Sequence, residues 1–222
     1  MKNYLSFKLL RSNSMLAGLS QGRSKRHNLV LHIWLLIVWL ILGTILRFSC
    51  LDSKTLWSDE WATIVFSLGQ SFQTIPLDKI ISLNTLLQPV KIDSWAQTQD
   101  VITHLMNEST HPPLYFVLSH WWLKLFSTNS DLVSIWLARS LSALFGILAI
   151  PAMFGFGWLL FRNAIAAQLS AALMAVSPYG IYLAQETRHY TLAILWVIAS
   201  LACLLVTLRH LHKERIPPRC LK

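Results

Sequence analysis

Leu29 to Leu46 is an apolar run of 18 residues without a charged side chain, interrupted only by His32 and Thr44. A run of that length is long enough to cross a bilayer as a helix, the form in which a lone segment satisfies its own backbone hydrogen bonds in hydrocarbon. Four more apolar stretches follow, at Leu114 to Phe126, Ile135 to Phe161, Ala164 to Val176 and Tyr190 to Leu208. The fold class they predict is all-α, a polytopic transmembrane helical bundle. Composition supports this, since 54% of the chain is hydrophobic and only 13% is charged, about half the charge of a soluble domain.

The net charge of +9 raises the question of a nucleic-acid partner, which the placement of the 19 Lys and Arg residues answers. Six of them (Lys2, Lys8, Arg11, Arg23, Lys25 and Arg26) lie in the first 28 residues, and five (Arg209, Lys213, Arg215, Arg219 and Lys222) close the chain. Basic flanks around apolar spans follow the positive-inside rule, whereas a nucleic-acid surface needs a soluble domain to display it. No nucleic-acid partner is expected. The predicted organisation is a basic cytoplasmic N-terminus (1–28), a transmembrane domain (29–208) and a basic cytoplasmic tail (209–222). The first run has 28 residues before it and Arg47 after it, so it reads as a retained anchor and not as a cleaved signal. Cys50, Cys203 and Cys220 are odd in number and far apart, which predicts free thiols.

Residues 47–112 form a polar loop that holds seven of the ten acids. With the N-terminus inside, this loop lies outside. Two basic termini on one side require an even number of crossings, so one of the five stretches does not cross. Leu114 to Phe126, with 13 residues, is too short for about 30 Å of hydrocarbon at 1.5 Å per residue. In the loop, Trp61, Ile64, Val65, Leu68 and Phe72 fall on one helical face, which predicts an interfacial helix. Ser58 is its expected N-cap, with Asp59 and Glu60 in the acidic first turn. From Gln73 to Ser109 no strong periodicity is visible.

Three polar constellations stand out. Asp59 and Glu60 are adjacent carboxylates, suited to a general base and its electrostatic partner, or simply to a solvated helix cap. His111, before Pro112 and Pro113, is either a polar ligand group or an interfacial side chain. Glu186, Arg188, His189 and Tyr190 interrupt hydrophobic sequence, where ionisable groups at membrane depth are costly enough to suggest function; the alternative is an ordinary polar connection. All three face the outer side in this topology. Ala138, Ser142 and Gly146, with Gly155 and Gly157, read as a face for close helix packing.

At these residues the chain resembles membrane glycosyltransferases of the GT-C type, in particular the protein-mannosyltransferase and aminoarabinose-transferase relatives of glycosyltransferase family 39. The resemblance rests on Asp59-Glu60, His111-Pro112-Pro113-Leu114-Tyr115, Arg139, Ser177-Pro178 and Gln185-Glu186-Thr187-Arg188-His189-Tyr190. It implies transfer of a sugar from a polyprenyl-phosphate carrier to a glycan, lipid or protein acceptor on the extracytoplasmic face of the inner or plasma membrane. Catalysis falls to Asp59, as the base, and Glu60. Substrate and phosphate binding fall to His111, Glu186, Arg188 and Tyr190. The resemblance assigns no definite cofactor and leaves a divalent metal open. Family members run to several hundred residues, so the chain is expected to be their N-terminal part, with a possible partner chain supplying further spans. The competing expectations are a non-catalytic membrane module that binds lipid carriers or a partner chain, and a transporter.

Overall fold

The computed structural model describes residues 30–214 other than 77, 94 and 128–130. The basic N-terminus, residues 215–222 of the tail and Cys220 lie outside the described residues. Among the described residues nine α-helices follow in order: α1 (Val30–Phe48), α2 (Ser58–Ser67), α3 (Leu83–Leu86), α4 (Thr98–Glu108), α5 (Leu114–Phe126), α6 (Ile135–Phe161), α7 (Ala164–Val176), α8 (Pro178–Ala184) and α9 (Tyr190–Glu214). Among the described residues there is no strand. The fold is all-helical.

Helices α1, α6 and α9 are long and apolar enough to cross a membrane. Large apolar side chains such as Ile41, Leu148 and Leu201 remain exposed along them, as expected of surfaces solvated by lipid chains. Helix α7 alone is as short as α5, at 13 residues. It reaches spanning length only together with α8, from which it bends by 55°.

The bend has a specific chemical cause. Pro178 lacks the N–H that would continue the helical ladder to Met174, and Arg47 replaces the missing donor. Its guanidinium donates to Met174 O at 2.8 Å, Ala175 O at 3.0 Å and Gly43 O at 3.2 Å. Arg47 is fully buried at the end of α1. Gly146 makes room for it, because a Cβ there would lie 2.9 Å from Arg47 Nε and 2.8 Å from Ala184 Cβ. The small-residue face expected on α6 therefore exists at Ala138, Ser142 and Gly146, all buried. Gly155 is different: a Cβ there would meet nothing within 4 Å. Polar side chains join α1 to α7 as well, with Trp39 Nε1 donating to Gln168 Oε1 and Gln168 Nε2 donating to His32 O.

The loop after α1 is more ordered than its sequence suggests. Ile64, Val65 and Leu68 pack with Val90, Leu123 and Ala138, while Phe66 joins Val101, Leu105 and Phe116. Each buried aliphatic side chain of this kind contributes about 1.5–3 kcal/mol relative to exposure. The apolar face of α2 thus packs against protein. It ends earlier than expected, at Ser67, and Gly69 turns the chain with φ 74°. Phe72 reaches the same core from a separate 3-10 turn, Phe72–Thr74.

Two expectations need correction. Trp57, not Ser58, is the N-cap of α2, and it makes no side-chain cap bond; the Trp61 N–H already bonds to Trp57 O at 3.0 Å, so the helix starts one residue earlier. Residues 73–109 also contain a regular helix, α4. Its signal was present but short: Val101 and Leu105 lie four apart and are buried, and the Asp100 carboxylate accepts from the Gln97 N–H at 2.8 Å, a helix-start pattern. Cys50 and Cys203 are free thiols, as expected.

Candidate functional site

Asp59 and Glu60 are adjacent in sequence but lie in opposite environments. The first turn of α2 points Glu60 into the protein, where it is 1% exposed, and leaves the Asp59 side chain 46% exposed. Glu60 meets Arg139, itself 0% exposed, in a two-point ion pair. Arg139 Nε donates to Glu60 Oε1 at 2.9 Å and Nη2 donates to Oε2 at 2.8 Å. The remaining guanidinium nitrogen donates to Leu51 O and Lys54 O. Glu60 Oε1 also accepts the Thr187 N–H at 2.7 Å. Forked geometry with every guanidinium nitrogen engaged is the condition under which a buried ion pair is tolerated.

Arg188 follows Thr187 directly, and its charge is turned toward Asp59. Arg188 Nη2 lies 3.3 Å from Asp59 Oδ2. Nη1 donates to Asp59 O and Thr63 Oγ1, each at 3.2 Å. The guanidinium sits between two rings, 5.8 Å from the centroid of Trp57 and 5.5 Å from that of Tyr190, a setting that favours a planar cation. Arg188 is only 5% exposed, and its Nε has no partner among the described residues.

His189 and His111 extend the cluster. Their rings are 5.8 Å apart, and Ser109 Oγ holds His111 Nδ1 at 2.7 Å. Burial, then the neighbouring Arg188 charge, then His111 push His189 below its ordinary value, so it is neutral at pH 7. Tyr115 lies beneath these rings, 6.5 Å from His189 and 6.2 Å from Phe116. Its hydroxyl meets Ser142 Oγ at 2.7 Å, and burial pushes the phenol up, so it keeps its proton. A cavity of about 200 Å³ opens on this side, lined by Pro112, Leu114, Tyr115, His189, Leu192 and Trp196 among others. It is almost wholly apolar.

The structure thus joins Asp59, Glu60, Arg188 and Tyr190 by direct contacts or near approach. It connects His111 to them through His189. Glu186 is buried and interacts with the Tyr182 hydroxyl, which also senses Glu60 and Tyr190, and neither it nor Asp59 lines the apolar cavity. Among the described residues, no group of three or more His, Cys, Asp or Glu side chains is placed to hold a metal ion. Thr63 and Ser142 are members of the site to which sequence reading assigns no chemistry. Both carry a usable signal, because Thr63 lies four residues after Asp59 on α2 and Ser142 three residues after Arg139 on α6, so each shares a helical face with a residue already singled out. No family model, curated protein or solved structure matches the chain.

Proposed function

We propose that the chain is a membrane glycosyltransferase of the GT-C kind, or the N-terminal part of one, using a polyprenyl-phosphate sugar donor at the extracytoplasmic face. One observation carries the reading: a half-exposed carboxylate, Asp59, lies 3.3 Å from a guanidinium, Arg188, that is 5% exposed. The reaction needs that pair of chemistries. The acceptor oxygen attacks the anomeric carbon and its proton passes to Asp59. The bond from that carbon to the phosphate oxygen breaks, and the electron pair leaves on polyprenyl phosphate. Arg188 offsets the negative charge that builds there. Phosphate is a good leaving group, so it needs charge stabilisation more than protonation. His111 and Tyr190 border the phosphate and acceptor side of the cluster, and Glu60 positions.

In this reading α1, α6, α9 and the bent α7–α8 pair make four crossings, and α2 lies near the outer membrane surface. The N-terminus is cytoplasmic. Cys50, exposed just beyond α1, reports the orientation directly. A membrane-impermeant thiol reagent applied to intact cells should label Cys50, and Cys50→Ser should remove that label. Labelling that appears only after the cells are opened would place the loop inside and overturn the topology.

The functional test is carrier binding to the purified chain in detergent. Arg188→Ala should weaken polyprenyl-phosphate binding the most, and Arg188→Lys should fall between it and the parent, because Lys keeps the charge but loses the planar fork. Equal binding by the parent and Arg188→Ala would sink the assignment. Equal binding by the parent and Arg188→Lys, with loss in Arg188→Ala, would reduce it to a nonspecific charge effect.

A further inference from the structure

We infer that the outer turns of α6 act as a template that sets Arg188 against Asp59, with Ser142 and Arg139 as positioning residues. The inference rests on the reading in which Arg188 meets the donor phosphate. It concerns residues to which that reading gives no role of their own.

Residues 185–189 connect α8 to α9 without regular structure, so their backbone groups need partners from elsewhere. Two long-range bonds hold the backbone of this connection, and both lead to α6; the Gln185 side chain separately ties its start to Leu46 O and Ser49 O. Ser142 Oγ donates to Arg188 O at 3.0 Å. The Thr187 N–H donates to Glu60, whose carboxylate is gripped at two points by Arg139. The peptide unit before Thr187 and the Arg188 carbonyl are therefore both fixed. Arg139 and Ser142 are three residues apart on one face of α6, and both are fully buried. That face is a rigid reference for the connection.

The hydroxyl chain has only one direction. Ser142 spends its proton on the Arg188 carbonyl, so the contact at 2.7 Å with Tyr115 must be donated by the Tyr115 O–H. Donation to Ser142 Oγ strengthens the bond that Ser142 in turn makes, since hydrogen-bond chains polarise one another. From this fixed backbone the Arg188 side chain reaches Thr63 Oγ1, Asp59 O and the Asp59 carboxylate. Its unpartnered Nε marks donor capacity that the protein itself does not use.

The test uses the purified full chain in detergent with farnesyl monophosphate as the probe, measuring affinity and melting temperature together. Ser142→Ala removes one hydroxyl at nearly unchanged volume. It should weaken binding by the equivalent of one net hydrogen bond, about threefold to tenfold. In an Arg188→Ala background the same change should have no further effect, because Ser142 acts through Arg188. Tyr115→Phe should shift affinity in the same direction by less, and should have no effect once Ser142 is Ala. It carries the test if Ser142→Ala does not fold. Parent-like affinity in folded Ser142→Ala and Tyr115→Phe, with Arg188→Ala impaired, overturns the positioning role and leaves the functional reading standing. Equal losses from Ser142→Ala with and without Arg188 also overturn it. Parent-like affinity in Arg188→Ala removes the functional reading, and the inference with it.

Discussion

Asp59→Asn is expected to slow sugar transfer by about 10² to 10⁴, the usual contribution of a positioned general base, without disturbing the fold. The substitution is nearly isosteric and removes only the capacity to take a proton. Arg188 keeps its bonds to Asp59 O and Thr63 Oγ1, so the cation stays in place when the carboxylate is gone. The ion pair lost is half-exposed on the Asp59 side, and pairs of that kind are worth about 0–1 kcal/mol. Rate and stability should therefore separate. The measurement is initial transfer from a polyprenyl-phosphate sugar in membrane vesicles, with donor binding and melting temperature determined in parallel. A parent-like rate would reduce Asp59 to a helix-cap acid. A large fall in melting temperature would mean that the structure, not the chemistry, had been damaged.

The long helices were legible in the sequence because a lipid-facing helix carries no polar stripe. Val30–Phe48, Ile135–Phe161 and Tyr190–His212 therefore match the apolar runs of the sequence to within a few residues. Helix α4 was only faintly legible. Its burial rests largely on Val101 and Leu105, two positions in a polar stretch, and the partners that cover them, Phe66 and Phe116, come from other helices. In the sequence Arg47 reads as the first residue of the loop after the span, whereas it lies in the last turn of α1. Its bonds to Met174 and Ala175 depend on a helix break 127 or more residues away. The site followed the same rule. Asp59, Glu60 and Arg188 were singled out as polar groups in the wrong company, but the division of labour between Asp59 and Glu60 depends on helical rotation against α6. Adjacent residues in a helix point about 100° apart, so one carboxylate faces Arg139 and the other stays open. The spacing of Ser142 from Arg139 shows the shared helical face, but a small residue on a packing face gives no sign that its hydroxyl is spent.

That division makes the Glu60–Arg139 pair the most sensitive point of the fold. Arg139→Met should leave Glu60 buried with only the Thr187 N–H as partner, and it also strands Leu51 O and Lys54 O. Removing one member of a buried pair costs about 3–5 kcal/mol, because the charge left behind has neither water nor a partner. Glu60→Met should cost a similar amount for the converse reason, with the Arg139 charge uncompensated. The double variant should be more stable than either single one, because two Met side chains bury no charge and fill much of the vacated space. It should not regain parental stability in full, since the Thr187 N–H and the carbonyls of Leu51 and Lys54 still lack their partners. Thermal unfolding of the four proteins in one detergent gives the coupling directly as a double-mutant cycle. Additive losses would mean that the two side chains do not depend on each other, in conflict with contacts of 2.8 and 2.9 Å. A double variant as stable as the parent would mean that the Thr187 N–H finds another acceptor, and that the connection bearing Arg188 is not held through Glu60.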